Sequence, residues 1–152
     1  IAALEHTEIS ITLAKESSYK RGVEMGKLLK ANIYALQNKS DEALRDLESG
    51  MHGFKSLGID EGFNYEFAGR IMYLLGDLTK AEEFFQYGIS ISSDFPLYLA
   101  NLYKEYGRLL LKDKNEHIYG KEYLSKAVEL YTRIGAEARA NEAVNLLKIL
   151  ED

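Results

Sequence analysis

The stretch that decides the fold is AGRIMYLLGDLTKAEEFFQYG, which runs from Ala68 to Gly88. On either side of Gly76-Asp77 it carries apolar and small residues at three- and four-residue steps, the spacing of one face of an α-helix. The Gly-Asp pair interrupts both patterns and therefore predicts a tight turn between two helices. Because each apolar stripe must be buried, we expect the two helices to pack against each other as an antiparallel hairpin.

Small residues recur through the rest of the chain at a fixed period. In the first helix of each hairpin they are Ala31, Gly69 and Gly107, which are evenly spaced in the sequence. Two series in the second helices keep the same spacing to within one position, and they are Ala43, Ala81 and Gly120, and Gly50, Gly88 and Ala127. Small side chains inside helices indicate that backbones approach closely. A fixed period of roughly 20 to 50 residues predicts stacked helix pairs, each burying a face on its neighbours.

The period divides the chain into units of one domain. We predict a half-repeat at 1–17, repeats at 18–58, 59–95 and 96–135, and a C-terminal capping helix at 136–152. Pro96 suits the first turn of a helix, and Gly58 and Gly135 are placed to end helices. Ser17-Ser18 are expected to cap the second helix. Because the chain begins without a methionine, we expect it to be a fragment of a longer protein.

Composition argues against several classes of function. With 19 basic and 24 acidic residues the net charge is −5, which disfavours a nucleic-acid or anionic-membrane surface. The chain has no cysteine, so disulfides and a thiolate nucleophile are excluded, and a reducing, cytoplasmic location is expected. No apolar run approaches the roughly 18 to 20 residues that a membrane span needs.

Catalytic and metal-binding patterns are missing from the sequence. Gly22–Leu28 resembles a phosphate loop, but its first glycine is one residue too close and Leu28 stands where Ser or Thr is needed. The histidines are His6, His52 and His117, and none forms a pair at metal-ligand spacing. We therefore expect no enzyme activity, no metal and no cofactor.

At the periodic positions the sequence resembles the tetratricopeptide repeat family. The matching residues of the central repeat are Gly69, Gly76-Asp77-Leu78, Ala81, Phe85 and Gly88. Those of the flanking repeats are Ala31, Tyr34, Ala43, Leu47 and Gly50, and Gly107, Gly120, Leu124 and Ala127. The resemblance covers about residues 18–135 and implies an all-α, right-handed α-α superhelix of about seven or eight helices.

The chain departs from that family in its longer period, its lack of an aromatic-Pro close in most units, and a longer inner loop at 112–116. Units ending in Leu-Gly or Ile-Gly look like the arrays of bacterial and archaeal signalling ATPases and MalT-like transcription activators. The carboxylate clamp of chaperone-binding members is incomplete, because Leu28 occupies a position where a lysine is expected.

Stacked hairpins curve, and their first helices line the inner wall, where we place a groove for a partner. The candidate groove residues are Asn32, Phe63, Glu66, Arg70, Tyr73, Asn101, Lys104 and Arg108. Donor-rich side chains at Asn32, Arg70 and Arg108 suit carboxylates or an extended backbone, and Phe63 and Tyr73 suit an apolar anchor. The prediction is a non-catalytic module that binds a protein or peptide and favours acidic or C-terminal segments.

Alternative readings stay open at this point. Arg70 and Arg108 could instead pair with Glu66 and Glu105 as an ordinary solvated face. The chain could also be an effector-sensing regulatory domain of a larger ATPase or transcription regulator, or an RNA-binding helical repeat, which its acidic balance disfavours. We further predict homodimer formation through a terminal helix, with Leu4, Ile11 or Leu146 exposed.

Overall fold

A computed structural model describes residues 2–148, and within that range the chain folds into eight α-helices and no strand. Successive helices pack against each other within each of the two compact units described below, as in a helical repeat, so the all-α prediction is confirmed. None of the described helices is both long and apolar enough to cross a membrane. The helices are α1 (Ala2–Glu16), α2 (Lys20–Leu36), α3 (Ser40–Ser56), α4 (Gly62–Leu74), α5 (Leu78–Ile91), α6 (Pro96–Lys112), α7 (His117–Arg133) and α8 (Glu137–Lys148).

The described residues form two compact units. The first comprises the residues up to Asp60 together with Arg70–Asp77, and the second comprises Glu61–Gly69 together with the residues from Leu78 onward. The boundary falls inside α4. The prediction that all helices belong to one stacked domain stays a prediction.

In the first unit, α1, α2 and α3 run antiparallel in turn. The Ile11 side chain of α1 lies where a Cβ on Gly26 would be, and the Leu28 side chain of α2 lies 2.9 Å from the Cβ position of Gly50. Glu24, one turn before Leu28, lies against Gly53, one turn after Gly50. Contacts that move in opposite directions along two helices identify an antiparallel pair, so α2 and α3 form the predicted hairpin.

The second unit repeats the arrangement. The Phe85 ring of α5 fills the space over Gly69 of α4, and Gly88 of α5 lies against Leu102 of α6. In the α6–α7 hairpin the two backbones come closest, because the Cβ position of Gly107 lies 2.9 Å from the carbonyl oxygen of Gly120. Each predicted hairpin thus has a small residue at its crossing point.

The small residues predicted to mark close helix packing are all buried, which confirms the interpretation of the period. Ala31, Ala43, Ala81 and Ala127 have no exposed surface. The glycines of the three series, Gly50, Gly69, Gly88, Gly107 and Gly120, are buried as well.

The turns show the same period in the backbone. Asn38, Gly76 and Asn115, one period apart, each adopt positive φ, at 58°, 84° and 55°. Gly58 and Gly135 have positive φ directly after α3 and α7, as predicted. The expected serine cap of α2 is wrong: Ser18 ends α1 with φ of 56°, Ser17 donates to the Leu13 carbonyl, and α2 has Tyr19 at its N-cap.

Candidate partner-binding site

The eight predicted groove residues lie on the first helices of the three hairpins. In the second unit they are Phe63 and Glu66 on α4, and Asn101, Lys104 and Arg108 on α6. In the first unit they are Asn32 on α2, and Arg70 and Tyr73 on α4. Five of them lie in the second unit, and two of these five, Lys104 and Arg108, line a cleft there.

This cleft runs along α6 and α8 and has a volume of about 310 Å³. We call it the α6–α8 cleft. Its lining residues are Lys104, Glu105, Arg108, Glu142, Asn145 and Leu146. Four of the six lining residues are charged and one is an amide, and they line the cleft with their aliphatic stems as well as their polar ends, beside the aliphatic side chain of Leu146.

Helices α6 and α8 lie side by side because they occupy the same place in successive repeats. Asn101 accepts a hydrogen bond from Arg139 at 2.8 Å, and Lys104 donates to Glu142 at 3.2 Å. The two residues of each pair stand one period apart in the sequence. The repeat therefore sets the width of the cleft, and the side chains that bridge it hold its walls together.

Charges in the cleft are balanced. The Arg108 guanidinium is 2.5 Å from a carboxylate oxygen of Glu105, and the Lys104 ammonium is 3.7 Å from Glu105 as well as 3.2 Å from Glu142. Glu105 is only 7% exposed, whereas the Glu142 side chain is 63% exposed. For Arg108, the structure agrees with the alternative in which the arginine pairs with a neighbouring glutamate of its own helix.

A buried polar network lies beside this cleft and joins four helices. Asn101, on α6, donates to Glu66 on α4 at 2.9 Å. Its side-chain oxygen accepts hydrogen bonds from Tyr131 on α7 at 2.6 Å and from Arg139 on α8 at 2.8 Å. Tyr131 is fully buried, and Asn101 and Glu66 are 7% and 9% exposed. Asn101 is therefore the centre of a cross-link among α4, α6, α7 and α8.

The surroundings of Tyr131 favour its neutral form. Burial raises the pKa of its hydroxyl above the usual value near 10, and the charge of Glu66 adds to the rise, while Arg139 opposes it. The protonated hydroxyl is the form that donates to Asn101.

Other predicted groove residues have structural surroundings. Phe63 is 5% exposed, and its ring centroid is 5.7 Å from that of Tyr98, which leaves little ring surface for a partner. In the first unit, Arg70 and Tyr73 are half-buried, and Asn32 has a buried Oδ1 with no hydrogen-bond partner among the described residues.

Sequence reasoning missed the contribution of α7 and α8 to this site. Tyr131, Arg139, Glu142 and Asn145 were not among the predicted residues. The available signal was the period itself, because Arg139 and Glu142 stand one period after Asn101 and Lys104. Helix α8, which was predicted only as a capping helix, therefore stands one period after α6 and lines the cleft with it.

The phosphate-loop-like motif at Gly22–Leu28 is explained by helix packing. Gly22 lies in the first turn of α2 and Gly26 lies further along the same helix, and Ala14 and Ile11 of α1 pack over them. Among residues 2–148 no cluster of three His, Asp or Glu side chains is arranged to hold a metal ion.

Comparison of the chain with protein-family models, curated proteins and solved structures finds no match. The function is therefore inferred from the residues and their geometry.

Proposed function

We propose that the chain is a non-catalytic module that binds a peptide segment of a partner protein in the α6–α8 cleft. The observation that carries the proposal is the cleft itself, an open depression lined by two cations, two carboxylates, an amide and a leucine. Such a lining offers donors and acceptors to an extended peptide backbone and a small apolar contact to one side chain.

The network centred on Asn101 supports this proposal, because it fixes the walls before a partner arrives. Asn101 joins α6 to α8 through Arg139, and this link does not involve Lys104 or Glu142. A site whose walls are already held loses less conformational entropy on binding than a site that must order itself.

The charges favour a segment that carries a carboxylate. The Lys104–Glu142 pair is exposed on its glutamate side, and exposed ion pairs contribute only about 0 to 1 kcal/mol. A carboxylate of the partner, from an acidic side chain or a C-terminus, can replace Glu142 beside Lys104 at little loss. Glu142 is then free to accept a hydrogen bond from the partner backbone.

The test starts with peptides of about twelve residues selected for binding to the whole chain, a length that suits an extended segment in a groove. Affinity of the selected peptides is measured by fluorescence anisotropy. The test variant combines Lys104→Glu with Arg108→Glu. The control combines Lys112→Glu with Arg133→Glu, two exposed residues outside the cleft, and it changes the net charge by the same amount.

We expect the cleft variant to weaken binding at least about tenfold, because like charges then face the bound carboxylate. The control should stay within about twofold of the original chain, since only long-range attraction changes. Equal losses in both variants would show that binding follows net charge and not the cleft, and would overturn the proposal.

A further inference from the structure

The exposed apolar side chains differ from those predicted on the terminal helices. Leu4, Ile11 and Leu146, which the sequence predicts to be exposed, are all half-buried. Ile11 packs on Gly26 of α2. Homodimer formation through a terminal helix stays a prediction.

Large apolar side chains are instead exposed at one register position in the turns between hairpins. These residues are spaced by the period to within one position, and they are Tyr19, Leu57, Phe95 and Ile134. In that order they are 57%, 37%, 51% and 38% exposed. Leu57 and Phe95 have helices on both sides in the chain, so both positions are interior to the repeat. The exposure is therefore a feature of the repeat itself.

Two of these turns form a pocket in the second unit. The pocket has a volume of about 370 Å³ and lies between the α5–α6 turn and the α7–α8 turn. We call it the turn pocket. Its lining residues are Asp94, Phe95, Pro96, Leu97, Tyr98 and Ile134. It shares none of them with the α6–α8 cleft, so it is a separate site.

Aromatic rings form one wall of the turn pocket. The ring centroids of Phe95 and Tyr98 are 5.9 Å apart, and the two rings are stacked with an angle of 28° between their planes. Tyr98 also contacts Phe63, whose ring centroid is 5.7 Å away and which is buried. The wall is thus anchored in the core at Phe63, and at Phe95 it offers ring surface to a ligand.

The backbone of the turn pocket is fixed before a ligand binds. The Phe95 N–H donates to the Ser92 carbonyl oxygen at 3.0 Å, and the ring of Pro96 restricts φ at the start of α6. On the opposite side the Ala136 N–H donates to the Tyr131 carbonyl oxygen at 2.8 Å. A preformed pocket of this kind loses little conformational entropy on binding.

Asp94 sets the charge of the turn pocket. It is the one charged residue that lines the pocket, and it is exposed. Among residues 2–148 its carboxylate has no cationic partner, and it accepts a long hydrogen bond of 3.5 Å from the Ser93 hydroxyl. The pocket lies at the N-terminus of α6 and the C-terminus of α7, so the partial charges of the two helix ends are opposite and offset each other. The charge that suits this pocket is therefore a cation.

We propose that the turn pocket binds an arginine side chain of a partner protein. A guanidinium is planar and weakly hydrated, stacks on aromatic rings, and pairs with a carboxylate through two parallel hydrogen bonds. Phe95 and Tyr98 supply the rings and Asp94 supplies the carboxylate. Leu97 and Ile134 supply apolar surface for the methylene stem of the arginine.

Other side chains fit the turn pocket less well. A lysine ammonium is a compact, strongly hydrated charge that cannot stack as a plane on Phe95. An uncharged apolar side chain fills the pocket but leaves Asp94 without a cation and removes water from it. We therefore expect the pocket to prefer arginine to both.

The test uses the capped peptide acetyl-Gly-Ser-Arg-Ser-Gly-amide and the same peptide with lysine, citrulline or leucine in place of arginine. Citrulline has the shape of arginine without its charge. Each peptide is titrated into the isotope-labelled whole chain, and amide chemical shifts in NMR spectra report both the affinity and the residues that are contacted.

One side chain supplies little affinity, so we expect a Kd near about 1 mM for the arginine peptide. The largest shifts should fall at residues 94–98 and 134. The lysine peptide should bind about threefold more weakly, and the citrulline and leucine peptides at least about fivefold more weakly.

Two variants test the residues that carry the proposal. Asp94→Asn keeps the size of the side chain and removes its charge, and Phe95→Leu keeps apolar surface and removes the ring. The matched controls are Asp113→Asn, an exposed carboxylate at the opposite end of α6, and Tyr119→Leu, an exposed ring on α7. Circular dichroism spectra and melting temperatures are recorded for every variant.

Asp94→Asn should weaken binding of the arginine peptide about fivefold, and Phe95→Leu about two- to fivefold. Each control should stay within about 1.5-fold, because it changes only long-range attraction or a ring outside the pocket. A lower melting temperature of Asp94→Asn with an unchanged Kd would show that Asp94 only stabilises the N-terminus of α6, and would overturn the proposal.

Three further results would overturn it. One is the absence of shifts at residues 94–98 and 134 with the arginine peptide at up to about 10 mM. A second is a set of shifts centred on residues 104–108, which would place the peptide in the α6–α8 cleft. The third is equal affinity for the arginine peptide and for the lysine or leucine peptide, since the pocket would then have no preference for a guanidinium.

Discussion

Replacing Gly107 with alanine tests the closest helix contact in the second unit. A Cβ at this position would lie 2.9 Å from the Gly120 carbonyl oxygen, 3.0 Å from Leu124 Cγ and 3.1 Å from the Leu124 backbone nitrogen. Two of these three atoms belong to the backbone of α7, which cannot rotate away as a side chain can. The Gly107→Ala variant must therefore push α6 and α7 apart by several tenths of an ångström.

The magnitude follows from two opposing effects. Overpacking of a tight interior costs about 1 to 3 kcal/mol, whereas alanine in place of glycine inside a helix stabilises by about 1 kcal/mol. The net expectation is a loss of up to about 2 kcal/mol in the free energy of unfolding. For a chain of this length, about 1 kcal/mol lowers the melting temperature by about 2 to 4 °C.

Gly53→Ala is the matched control. Gly53 also lies inside a helix, but the atoms over it belong to the carboxylate end of the Glu24 side chain, which can move aside. In Gly53→Ala the higher helix propensity of alanine is the larger effect, and we expect the free energy of unfolding to rise by about 0.5 to 1 kcal/mol. Urea unfolding followed by circular dichroism measures both variants. If Gly107→Ala were as stabilising as Gly53→Ala, α6 and α7 would not approach as closely as described, and the packing interpretation of the small residues would fail.

Two further predictions concern buried polar groups. Asn101→Ala removes the acceptor of Tyr131 and Arg139 and the donor to Glu66, so it should lower the free energy of unfolding by about 2 to 3 kcal/mol in urea titrations. Tyr131→Phe removes one hydroxyl and should lower the free energy of unfolding by only about 1 kcal/mol. Equal effects of the two variants would show that Asn101 is not the centre of the network. Burial raises the pKa values of Tyr106 and Tyr131 in the folded chain, so the stability they contribute is fully present below the unfolded value near 10 and is lost as the pH rises above it. A Tyr106→Phe and Tyr131→Phe variant should therefore lose less stability between about pH 9 and 11 than the original chain does, and parallel curves would contradict this assignment.

The hairpins could be predicted from sequence because packing leaves a mark that repeats. A glycine at 69 or 107 has no good reason to stand inside a helix unless another helix lies against it, and the structure places Phe85 and Gly120 there. Helix ends at Gly58 and Gly135 were predictable for a similar reason, since the left-handed conformation favours glycine. The serine cap failed because Ser18 adopts that conformation itself and ends α1 instead of beginning α2.

The charge pairing of the cleft could be predicted only in part. Arg108 and Glu105 are three residues apart on one helix, so their ion pair follows from helix geometry alone. The Lys104–Glu142 pair joins two helices, and the distance between its charged atoms depends on how α6 and α8 are rotated about their axes. The residue pattern of one helix contains no information on that rotation. The same holds for Asn101, whose amide looked like a groove residue but is buried among Glu66, Tyr131 and Arg139.

Equivalent positions of the repeat can differ widely in exposure, and the sequence does not record the difference. Ile9 and Leu47 have the same chemistry and the same register, yet one is 56% exposed and the other 4%. The sequence alone assigns both to helix packing, because the period does not say which helices have a neighbour. Inside the repeat the equivalent positions are covered, since Phe85 lies against Gly69 and Leu124 against Gly107 on an antiparallel helix.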